Sequence, residues 1–275
     1  MNALELYNAD DLAGALTAAK ETIRSKPADN EARSLLAQLF CFEADWDRAD
    51  VQFDTLGQQN TELLVGTKLL RQLVRAEIAR KQFYVEGRMP ELSGDADDHV
   101  SAILDATICI REGKFADAAK RLAPVHAHTD KLKGRVNGKD FVGGRDLDDV
   151  VCGYFEILTT NGKFYWLPMD KVININFRGL DRLQDRIWRS AAIQVEGFKT
   201  EGEVYFPVNY WCEPNAWAAQ ADDEIKLGRK TDWYAGAPDG PVRGMGQKSF
   251  VFGEEQYSIL EIENYMGPLN EDLQE

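Results

Sequence analysis

Apolar residues return every three or four positions along the N-terminal part of the chain. The pattern predicts helices over about 2–8, 11–25, 30–43, 46–57, 62–84, 97–112 and 115–123. These segments carry an internal period. Ala15, Ala19 and Pro27 are followed 34 residues later by Ala49, Phe53 and Thr61, which places Leu36, Ala37 and Phe40 in the first helix of a tetratricopeptide-like unit. A third copy is offset by 69 residues, with Glu43, Trp46, Ala49 and Phe53 matching Glu112, Phe115, Ala118 and Leu122. A small residue at one position lets the paired helix approach, and a bulky one four residues later fills the same face. The plainer alternative is a helical bundle with coincidental spacing. Because the matches include Ala and aromatic positions as well as leucines, stacked helical hairpins are expected. The break is expected at Gly87-Arg88-Met89-Pro90, with Pro90 and Gly94 ending the long fifth helix and Asp95, Asp97 and Asp98 as N-cap candidates for the next.

The pattern changes near residue 130. Only six of the 22 glycines and one of the six tryptophans lie before it, and β-branched, aromatic runs follow. The polar stretch HTDKLKGRVNGKD reads as a linker at about 128–140. In CGYFEILTTNGKFYWLP, two such runs flank Asn161-Gly162, a dipeptide suited to a type I′ hairpin turn. A strand at 172–177, an amphipathic helix at 180–188 and strands in SAAIQVEGF, GEVYFPV, KSFVFG and YSILEIENY complete the expectation. Residues 213–247 read as irregular, with a short helix near Asn215–Lys226. The expected fold class is α+β in two domains. Residues 1–128 would form tetratricopeptide-like helical hairpins, and residues 140–275 an α+β domain with a mainly antiparallel sheet.

Charge narrows the choice of partners. The chain has 275 residues and a formal net charge of −14. Residues 1–130 hold 22 acids against 15 bases and the remainder 24 against 17, so each part carries −7 and no basic module is concealed. Nucleic acid and anionic membrane surfaces are therefore not expected partners. No apolar run is long enough for a membrane helix. The start MNALELYNADDLAG lacks a signal peptide's basic and apolar regions, and Cys41, Cys109, Cys152 and Cys212 form no CxxC pair, which reads as a reducing cytoplasm.

Candidate chemistry is sparse. Gly244-Met245-Gly246-Gln247-Lys248-Ser249 is superficially a phosphate loop, but Gln247 separates Gly from Lys and a strand follows, so a turn between strands is expected. The RDLDD run at 145–149 offers Asp146, Asp148 and Asp149 for acid–base or cation work, without the spacing of a calcium loop; holding an arginine is the commoner role. His126-x-His128 lacks a third ligand, and with His99 it completes the histidines. No nucleophile and base are arranged together, and no cofactor is expected. Trp188, Trp211, Trp217 and Trp233 suit either a ligand pocket or core packing, with packing the better expectation.

Longer strings carry a resemblance. LVRAEIARKQFYVEGRMP (73–90), RDLDD (145–149), WLP (166–168), RLQDRIWRSA (182–191), GEVYFPVNY (202–210), LGRKTDW (227–233) and RGMGQKSF (243–250) are spread in order over the chain. Together they resemble the ImpE/TagJ family, accessory proteins of the bacterial type VI secretion system also labelled SciE-type virulence proteins. The resemblance implies a cytoplasmic adaptor, not an enzyme, with a tetratricopeptide-like N-domain and an ImpE-type C-domain. The implied partner is the N-terminal helix of the small contractile-sheath subunit, with the AAA+ sheath-disassembly ATPase as a linked component. It transfers no catalytic residues; Asp146, Arg182, Asp185, Trp188, Arg229, Asp232 and Trp233 lie in its strings. Arg229 and Asp232 in LGRKTDW are expected to pin an irregular loop.

An adaptor of this kind needs an apolar groove, which stacked hairpins offer on the side of each unit's first helix. The repeat phase puts Ser34, Gln38 and Phe42 there, then Lys68, Gln72 and Arg75, whose bases would select an acidic-edged helix. The alternative is an enzyme or small-ligand binder in the tryptophan-rich C-terminal domain, using Asp146, Asp148 and Arg229.

Overall fold

The computed structural model describes residues 1–94, 97–198, 200–212 and 220–268. Helices α1 (Ala3–Asn8), α2 (Leu12–Ser25), α3 (Asn30–Phe42), α4 (Trp46–Gln59), α5 (Leu64–Glu86), α6 (Asp98–Arg111) and α7 (Phe115–Thr129) fill the N-terminal part. Each of the first four packs on the next, and α6 packs on α7. Their starts are written locally. Asn2, Asp11, Asp29, Asp45 and Asp97 each accept a backbone N–H three residues on, and such a cap stabilises a helix by about 1 kcal/mol. The repeat positions are packing positions: Ala15, Ala49 and Ala118, and with them Ala19, Phe53 and Leu122, are all buried.

The fifth helix stops at the expected break, and the seventh runs past its expected end. Gly87, left-handed at φ 77°, caps α5 ahead of Pro90. Helix α7 runs through Pro124 to Thr129, because Pro124 and Lys120 are exposed and the carbonyl freed by the missing N–H meets water. Asp97 caps α6, while Asp95 lies outside the described residues.

The strands are β1 (Glu91–Leu92), β2 (Lys133–Val136), β3 (Lys139–Val142), β4 (Gly144–Asp146), β5 (Tyr154–Thr159), β6 (Phe164–Pro168), β7 (Val172–Phe177), β8 (Trp188–Val195), β9 (Gly202–Pro207), β10 (Thr231–Ala235), β11 (Val242–Gly246), β12 (Ser249–Phe252), β13 (Glu255–Ser258) and β14 (Asn264–Met266), with a short helix α8 (Asp223–Lys226) before β10. The main sheet has the order β1-β6-β5-β9-β8-β7-β14-β2-β3. It is antiparallel except where β1, arriving from the helical region, runs parallel to β6. Strands β13-β12-β4 form a second sheet, and β10-β11 a hairpin. The class is α+β, with a mainly antiparallel sheet. Among the described residues no helix is long and apolar enough to cross a membrane.

Several local expectations are corrected. The stretch that reads as a linker is the end of α7 and a β2–β3 hairpin. Its turn, Asn137-Gly138, has φ 49° and 80°, the two left-handed residues of a type I′ turn. At Asn161-Gly162 only Gly162 is left-handed, and its N–H donates to Thr159 O, so the β5–β6 loop is a type I turn with a bulge. The helix expected at 180–188 shrinks to a 3-10 turn over Leu183–Arg186. Asp185 binds the Arg182 backbone there, and Trp188 leaves to start β8 in the core. The single strand expected in YSILEIENY is β13, a turn and β14; the turn lets Ile259 and Ile262, which strand alternation would send to opposite faces, both enter one core cluster. Residues 220–247 hold α8 and the β10–β11 hairpin, while Asn215 and Trp217 lie outside the described residues.

The main sheet is buried on two sides. Along β5, Tyr154 and Leu158 join the cluster shared with the helices, and Phe155 and Ile157 join the cluster on the other face. The same alternation directs Glu156 at helix α5.

Candidate functional site

The six residues read as a groove do not lie together. Ser34 and Gln38 line an open groove of about 640 Å³ with Leu4, Leu35, Leu63 and Leu183, whose acidic members are Asp29 and Glu31. The Gln38 amide donates to the Ser34 carbonyl and hydroxyl, both at 3.1 Å. Phe42 is buried against Tyr7 and lines a different cavity. Lys68 is exposed. Gln72 and Arg75 sit at the β5–β6 turn, where a Cβ added to Gly162 would lie 2.6 Å from Gln72 Oε1 and 3.5 Å from Arg75 Cβ.

The strongest polar feature is a network at the seam between helices and sheet. Arg80 on α5 reaches Glu156 through Nη2 at 2.7 Å and Nε at 3.1 Å, and Glu77 through Nη1 at 3.3 Å. Tyr84, one turn on, donates to Glu156 at 2.8 Å. Lys248 bridges Glu156 at 2.9 Å and Asp146 at 3.2 Å. Asp146 also accepts from the Tyr210 hydroxyl, and Asp148 holds Arg243 at 2.9 Å. Trp188 donates its indole N–H to Glu77 at 3.2 Å. All seven charged members are buried.

Burial and pairing set opposite proton affinities in this network. Burial raises Asp146 to about 6, against the lowering pull of Lys248. Burial likewise raises Glu77. Glu156 is held below the usual carboxylate range, because Arg80 and Lys248 outweigh its burial. Each of Asp146 and Asp148 is closed on a cation and on backbone N–H groups, so the RDLDD run holds the fold.

Sequence reading missed Glu77, Arg80, Glu156 and Lys248 as a unit, although a signal existed. Glu156 is the one charge in the apolar strand YFEILT, and a carboxylate buried there requires a buried cation. The distinctive strings also converge here. Glu77, Arg80 and Tyr84 come from 73–90, Asp146 and Asp148 from RDLDD, Trp188 from RLQDRIWRSA, Tyr210 from GEVYFPVNY, and Arg243 and Lys248 from RGMGQKSF.

Beside the network lies a cavity of about 270 Å³ between the α3–α4 turn, α5 and the chain after β9. Phe42, Trp46, Tyr210 and Trp211 form most of its apolar wall. Trp211 stacks on Tyr84 at 4.5 Å, and Trp46 on Trp188 at 6.2 Å. Trp233 packs near Tyr210 at 5.8 Å, away from this wall.

A second contact between the regions is half exposed. Arg229, expected to pin a loop with Asp232, pairs with Asp10, donates to Tyr7 O at 2.8 Å and lies 4.8 Å over the Tyr7 ring, while Asp232 accepts the Trp233 N–H. Asp223 accepts the Leu12 N–H at 2.8 Å, and Lys226 reaches Glu43 at 3.3 Å. Arg229 therefore lies apart from Asp146 and Asp148, and the three do not form one pocket.

The remaining motifs have structural partners. His126 contacts the Asp149 carbonyl at 3.2 Å, and His128 contacts Asp170 at 3.1 Å with the His99 ring tilted against it at 4.6 Å. Among the described residues there is no group of three His, Cys, Asp or Glu suited to a metal. Lys248 of the glycine-bearing loop is spent on Asp146 and Glu156, in the turn from β11 to β12. Burial raises the Cys41 thiol and pushes Cys152 up to about 12, so neither is a ready nucleophile.

Comparisons with known proteins agree with the strings. A family profile described as "ImpE protein" matches residues 138–266. The chain is 25% identical over 264 residues to the type VI secretion system accessory component TagJ of Pseudomonas aeruginosa, covering 95% of this chain and 89% of that one. An X-ray crystal structure of a Vibrio parahaemolyticus protein matches with a TM-score of 0.89 and 25% identity, over 99% of both chains.

Proposed function

The chain belongs to the ImpE/TagJ family, and from that premise we propose that it is a non-catalytic, cytoplasmic accessory protein of a type VI secretion system. In this reading it binds the N-terminal helix of the small contractile-sheath subunit and links the sheath to its AAA+ disassembly ATPase. A helical domain over 1–128 supplies the groove, and an α+β domain over 140–275 closes one side of it. The similarity to TagJ along 95% of the chain supports the secretion role.

The observation that carries helix capture is the groove of Leu4, Ser34, Leu35, Gln38, Leu63 and Leu183. Leu4 and Leu63 remain exposed there beside helices whose other faces are packed. Spaced leucines in a trough are what an amphipathic helix needs for its apolar stripe. The groove's charge differs from the basic rim expected from sequence. With Asp29 and Glu31 among its walls, it selects a helix with a basic edge.

The test is a titration of the full chain with a peptide of the sheath subunit's N-terminal helix, followed by fluorescence anisotropy. Leu4→Asp should weaken binding at least about tenfold, roughly 1.4 kcal/mol. Glu31→Lys should weaken a basic-edged peptide, whereas Lys68→Glu should leave it unchanged. Absence of binding at several hundred micromolar, on the order of 5 kcal/mol of affinity, would sink the reading.

A further inference from the structure

The seam network is one charge out of balance. Among the described residues it sets the carboxylates Glu77, Asp146, Asp148 and Glu156 against the cations Arg80, Arg243 and Lys248, leaving one negative charge over. Glu77 is the underserved member. Arg80 turns two nitrogens to Glu156, at 2.7 and 3.1 Å, and only one to Glu77, at 3.3 Å. Glu77 is also the carboxylate of the four that lines the aromatic cavity of about 270 Å³.

Asn209 lines the cavity too, but its Oδ1 is buried against Gly228 and its amide nitrogen donates to Lys226 O, so Glu77 is the acceptor the cavity presents. Trp46 and Trp211 line the cavity with π faces, which attract cations and cover aliphatic stems. An anion would meet Glu77, and the Arg80 guanidinium is already engaged. A purely apolar guest would fill the space and leave the Glu77 charge as it is.

We propose that this cavity binds an alkyl guanidinium or alkyl ammonium, its charged head on Glu77 and its stem between Trp46 and Trp211. The head supplies the fourth cation of the network. The site is separate from the leucine groove, so its failure leaves helix capture untouched, and the reverse also holds.

Binding is coupled to a proton. Glu77 faces Arg80 on its own helix, Glu156 from β5 and the Trp188 N–H from β8; at the rim stand Lys81 and Glu43, the latter paired with Lys226 of α8. Burial raises Glu77, so a proton competes with the guest for the carboxylate. Affinity should therefore rise with pH through the Glu77 titration and level off above it.

The head group has two sources, a free small amine or the basic side chain of another protein, and the probes separate them. The full chain would be titrated with butylguanidine, butylamine, capped arginine, capped lysine and the neutral isostere butylurea, read by tryptophan fluorescence and by calorimetry in two buffers. The charged compounds should bind at least about tenfold tighter than butylurea, with proton release. Tighter binding of the capped residues assigns the site to a partner's side chain, and tighter binding of the free compounds to a metabolite-like amine. Glu77→Gln should erase the preference for charge; if it does not fold, Trp211→Leu should weaken every charged probe. Equal binding of butylurea, or no binding of any charged probe at about 10 mM, would overturn the proposal.

Discussion

Helices and sheet meet at two polar contacts built from the same ion types, and solvent separates their roles. At the seam, Arg80 and Glu156 are a few per cent exposed and share partners with Glu77, Lys248 and Tyr84. At the edge, Arg229 and Asp10 are about a third exposed and lean on the Tyr7 ring. Charges removed from water must find partners, so the buried set specifies one docking of α5 on β5. The exposed pair keeps its solvation whether or not it forms, and contributes little.

The sharpest way to break that contrast is to remove one buried partner. Arg80→Ala leaves Glu156 and Glu77 sharing too little positive charge, and should cost about 3–5 kcal/mol in urea unfolding. Replacing both, Arg80→Met with Glu156→Leu, should cost much less than the sum of the single changes. A single loss below about 1 kcal/mol would place the seam with surface pairs.

Acidity sharpens it next. Asp146 sits at about 6, above its ordinary value, so the folded state holds a proton that the unfolded chain releases near 4. Its contribution is fully present below about 4 and is lost as pH rises through about 6. Glu156 has the opposite sign, because its depressed value gives stability above the ordinary carboxylate range that is lost only in strong acid. Asp146→Asn should flatten the fall in stability between pH 4.5 and 7.5 by at most about 3 kcal/mol, measured by denaturant titration at each pH. An unchanged slope would show that Asp146 is not the titrating member.

A smaller effect is expected where α5 meets the β5–β6 turn. Gly162 has φ 82°, and an added Cβ would meet Gln72 Oε1 at 2.6 Å. Gly162→Ala should lower stability by about 1–2 kcal/mol through backbone strain and displacement of Gln72. Gln72→Ala in the same chain should recover part of the loss if the side-chain contact contributes.

The helices were legible because their signals are local. The Asp97 cap and the break that begins at Gly87 are read within a turn or two, and the recurrence of Ala15 at Ala49 shows along the chain without any distant partner. The sheet was legible where strands alternate, and misread where a tertiary contact overrode the pattern. Trp188 is drawn into the core out of an apparent helix, and Ile259 and Ile262 are both buried by a turn. The two Asn-Gly dipeptides show the limit: identical in sequence, they form different turns because loop length and register differ. The network was harder still, since Glu77, Glu156 and Lys248 are far apart in the chain and only Glu156 sits in a run that makes a charge anomalous.

The least effect is expected at the edge, and its form is more diagnostic than its size. Arg229→Ala should cost about 0.5–1 kcal/mol, because a half-exposed pair is screened and the Tyr7 contact is partly retained by water. The same change should raise hydrogen exchange at the Leu12 amide, whose acceptor Asp223 is held on the segment that Arg229 anchors. Salt should mimic the mutation in the wild type, since the Debye length shrinks to about 3 Å at 1 M. At the seam the same salt should leave amides of α5 protected, because Arg80 and Glu156 lie beyond the reach of mobile ions. If salt opened both contacts equally, burial would not be what separates them; if it opened only the α1–α2 edge, the sheet region would hold α5 firmly while its first hairpin stays free to yield.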